Sequence, residues 1–277
     1  MYDKSVTERN PPAQPGTNAL EPTARFSSRV GHYVRWRPGY PPELLALLGA
    51  RCRLTRDSVV ADIGSGTGLF TRLLVENGNL VYAVEPNAEM RRAAEGALGG
   101  FARFRSVAAP AEATGLPAHS IDLIGAAQAA HWFDIPRVKR EFRRIAKPGG
   151  RLVLVWNKRR TDSTAFLRDY EALLERRGTD YTEISASQGD EDRVREIFAP
   201  AGFERHTLDN TQQFDCDGLI GRTLSSSYTP QPGHPGYEPM IGELREMFAR
   251  HQEGGRVSFE YDTRVFLGRM TPSPQRD

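Results

Sequence analysis

Cysteine is nearly absent: Cys52 and Cys216 are the only two in 277 residues, far apart and without a C-x-x-C spacing. That argues against a disulfide framework or a zinc site and suits a reducing, cytoplasmic setting. No apolar run reaches spanning length and no hydrophobic signal core follows Met1, so neither a membrane span nor export is expected. A surplus of one charge is missing as well, since 37 basic and 35 acidic residues leave a net charge of +2. Such a balance implies neither a nucleic-acid nor a membrane partner. Internal repeats are lacking too. What remains is an ordinary globular composition, 39% hydrophobic, long enough for one large domain with an embellishment.

The densest signal is the stretch VVADIGSGTGLF, Val59 to Phe70. Val59, Val60, Ala61 and Ile63 read as a strand buried on both faces of a parallel sheet. Gly64, Gly66 and Gly68 break the run, and helix-compatible sequence from Leu69 to Leu74 follows. Strand, glycine turn and helix make a nucleotide cradle, in which bare backbone lets a ligand approach and turns through positive φ. The first helical turn then offers unpaired N–H groups to an electronegative ligand group. A dinucleotide fold spaces its glycines G-x-G-x-x-G, whereas here Asp62 precedes G-x-G-x-G. A second apolar segment, LVYAVE, ends at Glu85, a carboxylate placed at a strand tip to accept both hydroxyls of a ribose.

The pattern D-x-G-x-G-x-G followed by Glu85 resembles the class I S-adenosylmethionine-dependent methyltransferases. YVRWRPGYP (Tyr33 to Pro41) is similar to the opening of small-molecule members of the trans-aconitate type. AQAAHWFD (Ala127 to Asp134) resembles a tract of the trans-aconitate and cantharidin type, and FRRIAKPGGRLVLV matches the family again. The resemblance covers about residues 25–270 and implies an α/β, Rossmann-like, doubly wound sheet of seven strands, mostly parallel with one antiparallel strand, plus helical cap insertions. S-adenosyl-L-methionine is the implied cofactor. Its expected contacts are Asp62, Gly64, Ser65, Gly66, Thr67, Gly68, Glu85, Pro86 and Gln128. Tyr33 and Arg37 either close over it or belong to a helix packed on the sheet, and Met90 either covers the adenine or fills the core. The family's loop after the third strand touches the adenine edge, which puts Ala111 and Glu112 there.

In chain order, a polar, proline-rich tail (residues 1–24) leads into a cap helix (25–50) bearing Phe26, Tyr33, Trp36, Arg37 and Tyr40. Pro41 and Pro42 open a helix from Glu43. Phe101 to Ala109 reads as the third strand, Ile121 to Asp134 as the fourth with its exit, and Arg137 to Ala146 as a helix. Trp156 and Asn157 are expected to end the fifth strand beside the acceptor, with Asn157 equally suited to cap the next helix. Phe203 to Phe214 and Val257 to Met270 read as strands around a helical insert (215–255), the second antiparallel. Residues 271–277 form a tail.

Gln128, His131, Trp132 and Phe133 leave the fourth strand where open parallel sheets bind ligands. His131 is either the general base for a protic acceptor or part of the pocket wall. Trp36, His131, Trp132, Trp156, Asn157, Arg222 and Tyr228 are the candidate acceptor contacts, with Ser225 and Ser227 of the insert either joining them or simply capping a helix. Methyl transfer leaves the protein to align acceptor, methyl and sulfur and to exclude water. An ionised carboxylate acceptor needs no base; a hydroxyl or carbon acid does. The rivals are an NAD-dependent oxidoreductase, disfavoured by the glycine spacing, and a non-catalytic protein that binds the cofactor. A nucleic-acid methyltransferase is disfavoured by alanines, Gln128 and His131 where D/N-P-P-Y/F would stand. A small-molecule acceptor, no metal, and a monomer or homodimer complete the expectation.

Overall fold

Short aliphatic runs form the strands, and amphipathic segments with identifiable caps form the helices between them. The structure, a computed structural model, describes residues 35–179, 181 and 191–270. Its elements are α1 Glu43–Cys52, β1 Val59–Ile63, α2 Leu69–Glu76, β2 Leu80–Val84, α3 Ala88–Leu98, β3 Phe104–Val107 and β4 Ile121–Ala127. A 3-10 turn, Ala130–Trp132, leads to α4 Ile135–Ile145 and β5 Ala146–Arg159. Then come α5 Ala165–Arg177, α6 Glu191–Phe198, β6 Glu204–Phe214, α7 Cys216–Leu224, α8 Tyr237–His251 and β7 Val257–Arg269. Among the described residues no helix is long and apolar enough to cross a membrane.

The strands form one seven-stranded sheet in the order β3-β2-β1-β4-β5-β7-β6. β1 pairs in parallel with β2 and with β4, and β7 runs antiparallel to both β5 and β6. Strand order therefore reverses between β1 and β4, and the crevice at their carboxyl ends is where ligands bind such sheets. Alternation along β1 sends Val60 to one face and Ala61 and Ile63 to the other. Leu48 of α1, Phe70 and Leu74 of α2 and Leu98 of α3 cover the first face. Val138, Phe142 and Ile145 of α4, with Val194 and Phe198 of α6, cover the second. Close packing fixes α2 on β4: a Cβ on Gly125 would lie 2.6 Å from the Phe70 ring. A third apolar cluster joins α5, α7 and α8 to the outer strands through Tyr170, Leu219, Leu244 and Phe259.

Element boundaries depart from the sequence reading where caps and pairing decide them. The third strand is shorter than Phe101 to Ala109. α4 begins at Ile135 because the Asp134 side chain accepts from the Arg137 amide at 3.1 Å, and Pro136 fits the first turn. β5 does not end at Asn157 but continues to Arg159, held there by antiparallel pairing with Tyr261 of β7. The cap of α5 is Thr164, whose side chain accepts from the Leu167 amide at 3.1 Å, so Asn157 does not fill that role. Residues 1–34 and 271–277, which include both expected tails and the first part (25–34) of the expected cap helix, lie outside the described residues.

Candidate cofactor and active site

The turn from β1 to α2 is held by main-chain bonds: Gly64 N and Ser65 N both donate to Val84 O, at 2.8 and 3.1 Å. Gly64 and Gly66 take φ values of 69° and 56°, where a side chain is strained. At Gly64 a Cβ would also sit 2.6 Å from that of Ala129, whereas at Gly66 it would project into open space. The turn is thus packed on one side and bare on the side where a ligand fits.

Two carboxylates flank it. Glu85 accepts from Gly66 N at 2.9 Å and from Asn87 N at 2.8 Å, and Arg91 donates to its carbonyl oxygen at 2.9 Å. Burial raises the Glu85 pKa above the usual carboxylate range, against the opposing pull of those two amides and of Arg91. Asp62 is completely buried, and its Oδ2 accepts from the Thr71 hydroxyl at 2.6 Å. Burial pushes Asp62 up to about 7, with the Thr71 hydrogen bond opposing and the Glu85 charge adding to the rise. Its Oδ1, the Ser65 hydroxyl and the Thr67 hydroxyl are buried with no partner among the described residues. Buried polar atoms are ordinarily satisfied. Three unsatisfied ones, one near the end of β1 and two in the turn after it, fit a ligand bearing a cationic and a polar end.

Two hollows meet at this turn. The larger, about 260 Å³, is lined by Gly64, Gly66, Glu85, Pro86, Asn87, Met90, Pro110, Ala111, Glu112, Gln128, Ala129, Trp132 and Phe133. The smaller, about 50 Å³, lies against Tyr40, Asp62, Gly64, Ser65, Gly66, Thr67, Leu69, Phe70, Ala127 and Gln128. Gln128 borders both. It takes φ 58°, unusual for a side-chain-bearing residue. Its amide donates to Val155 O at 2.9 Å and its Nε2 to Asn157 O at 3.2 Å. Among the described residues no cluster of histidine, cysteine or carboxylate side chains is set to hold a metal.

Of the expected cofactor contacts, all those from Asp62 to Thr67, together with Glu85, Pro86, Met90, Ala111, Glu112 and Gln128, line one hollow or the other. Gly68 instead caps α2. Tyr33 lies outside the described residues. Arg37 donates to Ser225 O at 2.9 Å, which draws its guanidinium toward α7. Trp36 packs against the same helix, so tightly that a Cβ on Gly221 would lie 2.1 Å from its Nε1. Tyr40, Asn87 and Pro110 line the hollows without having been singled out for them. Asn87 carried a signal in its position, since its side chain caps α3 by accepting from Glu89 N and Met90 N.

The expected acceptor contacts divide. Trp132 lines the larger hollow and is 46% exposed. His131 is not among the residues lining either hollow; its ring packs 4.7 Å from that of Trp132. Burial, assisted by the Arg193 charge, pushes His131 down to about 4, so the ring is neutral near pH 7. Trp156 is core, edge-on to Phe266 at 5.7 Å, and does not border either hollow. Asn157 donates to Gly39 O at 2.9 Å and accepts from Thr263 and Asn210 at 2.6 and 3.2 Å. Those bonds make it an anchor between the strands and the 35–42 segment. Arg222 is buried on the Tyr261 hydroxyl at 3.1 Å and Ser226 at 3.1 Å. Tyr228 stacks edge-on to Tyr181 at 4.9 Å, so both belong to the helical lobe and not to the hollow lining.

Comparison with known proteins agrees with this geometry. The methyltransferase domain family matches residues 61–154, from β1 into β5. An uncharacterized methyltransferase of Mycobacterium tuberculosis is 34% identical over 231 residues, spanning 82% of this chain and 86% of the relative. Another, from Schizosaccharomyces pombe, is 28% identical over 258 residues, spanning 89% of this chain and 97% of the relative. A solved structure of a candidate type II methyltransferase from Anaeromyxobacter dehalogenans superposes with a TM-score of 0.62 at 26% identity. It covers 86% of this chain and 99% of that one.

Proposed function

Since the chain belongs to the class I S-adenosylmethionine-dependent methyltransferases, we propose that it methylates an oxygen of a small-molecule acceptor, with a carboxylate as the first choice. Glu85 would hold the ribose hydroxyls, already oriented by the Gly66 and Asn87 amides. Asp62 Oδ1, Ser65 and Thr67 would hold the amino-acid end, where a cationic ammonium fits a buried carboxylate. Pro86, Met90 and Ala111 form an apolar slot for the base. When bound, the cofactor supplies a methyl group on a cationic sulfur. The chain's own work is alignment and exclusion of water, through proximity and an apolar wall of Ala129, Trp132 and Phe133.

The observation that carries the cofactor reading is the buried Asp62 with one oxygen unpartnered among the described residues, next to a Glu85 fixed on the glycine turn. The acceptor preference rests on where the bases are. Glu85 spends both oxygens and Glu112 one on main-chain amides, and His131 is off the lining. An acceptor oxygen already ionised at neutral pH needs none of them. A phenol or alcohol is the second reading, favoured by the neutral imidazole next to Trp132 and requiring it as base. Production of S-adenosylhomocysteine with panels of carboxylates and phenols, by the native enzyme and His131→Ala, separates the two. Turnover of acids that survives the substitution supports the first; turnover of phenols alone, lost in the variant, supports the second. Two free cysteines and the lack of a long apolar helix among the described residues support a cytoplasmic enzyme.

A further inference from the structure

The wall of the larger hollow is a short turn with weak internal bonding. Trp132 N donates to Ala129 O at 3.0 Å, and Phe133 N reaches Ala130 O only at 3.4 Å. Its firm attachments come from outside. On one side the Asp134 amide donates to Glu112 Oε1 at 3.0 Å. On the other, the Arg193 guanidinium reaches two carbonyl oxygens of the turn, Ala130 O through Nε at 3.2 Å and Phe133 O through Nη2. These two carbonyls bracket His131 and Trp132. A planar fork with fixed donor geometry suits such a pair, and no other side chain matches it.

The helix that carries Arg193 is itself packed against the turn. This is α6, whose Val194, Ile197 and Phe198 pack into the cluster that contains Ala129, Ala130 and Phe133. That helix lies beyond residues 61–154, the part of the chain that matches the family. Arg195, on the same helix, is exposed and pairs with Glu191 and Asp192, so it makes a matched control.

We infer that Arg193 is a positioning residue: its guanidinium fixes the Ala130–Phe133 turn and thereby sets Trp132 and Phe133 against the bound cofactor. The effect on the cofactor rests on the proposed function, but the effect on Trp132 does not. Arg193→Ala, Arg193→Lys and Arg195→Ala are made in the full chain, each also in a Trp132→Phe background. Tryptophan emission of the free protein and titration with S-adenosylhomocysteine are measured for all.

Arg193→Ala is expected to shift the emission to the red, with the shift absent in the Trp132→Phe background, and to weaken S-adenosylhomocysteine on the order of tenfold. Arg193→Lys, with a single ammonium, falls between alanine and the native protein, and Arg195→Ala leaves both readouts unchanged. If alanine yields no folded protein, lysine alone decides: native-like emission and affinity overturn the inference. So do an Arg193→Ala protein within twofold of the native one in affinity with unshifted emission, and an Arg195→Ala protein that loses as much. A native protein that binds no S-adenosylhomocysteine counts against the proposed function, and the emission shift then judges Arg193 by itself.

Discussion

Thr71 gives its hydroxyl proton to one oxygen of Asp62 at 2.6 Å, and the other oxygen of that carboxylate finds no partner among the described residues. A half-satisfied carboxylate in a fully buried position destabilises the free protein, and a ligand cation offsets the loss. Asp62→Asn is therefore expected to raise the Tm of the free protein near pH 7 while weakening S-adenosylmethionine at least tenfold, a trade of function for stability. Scanning calorimetry and titration of the same sample check both halves.

The pH dependence separates Asp62 from His131. Asp62 is raised from 3.8 to about 7. The folded state thus holds the proton more tightly, and this contribution to stability is lost as pH rises between those values. His131 is lowered from 6.5 to about 4. Its contribution is present above 6.5 and lost as pH falls toward 4. Each slope is bounded at about 1.4 kcal/mol per pH unit, and in the native protein they oppose each other. Between pH 4 and 6.5 the stability of Asp62→Asn relative to native should rise with pH, and that of His131→Phe should fall. Urea unfolding across this window reads both; difference curves of the same sign contradict the assignment.

Glu85 holds two main-chain amides and, in the proposed reading, the ribose. Glu85→Gln keeps one acceptor oxygen and loses the charge, so S-adenosylhomocysteine should bind about 10–100-fold more weakly, as for loss of a charged hydrogen bond. The Tm should move by only a few degrees. Equal affinity by calorimetry removes Glu85 from the site.

The two glycines of the turn should fail differently. Alanine at Gly66 puts its methyl into open space in the hollow, at the cost of φ 56°. It is expected to fold, with Tm lowered slightly and cofactor binding lost. Alanine at Gly64 meets the Ala129 methyl at 2.6 Å and should destabilise the fold by about 2 kcal/mol. Paired melting and binding curves distinguish a blocked site from a strained core.

The cradle was legible because its chemistry is local. Glycine spacing, Asp62 and the acid ending the next strand lie in two short stretches, and short apolar runs mark the other parallel strands. Residues whose role depends on distant partners were not legible. Asn157 looks like a pocket amide until Gly39, Asn210 and Thr263 are seen to claim its side chain. Trp36 and Arg37 stand among cofactor-like aromatics and cations, yet α7, far along the chain, takes them both. The tract from His131 to Phe133 divides more finely. A 3-10 turn sends neighbouring side chains in different directions, so Trp132 and Phe133 reach the hollow and His131 does not.

The central claim is that the β1–β2 end of the sheet holds S-adenosylmethionine through Glu85 and Asp62. Isothermal titration of the full chain with S-adenosylhomocysteine, alongside a Glu85→Ala, Asp62→Ala double variant, addresses it directly. A saturable single-site isotherm that disappears in a folded double variant is the predicted result. A native protein that gives no binding heat across temperatures, or a folded double variant that binds as well as the native one, would contradict it.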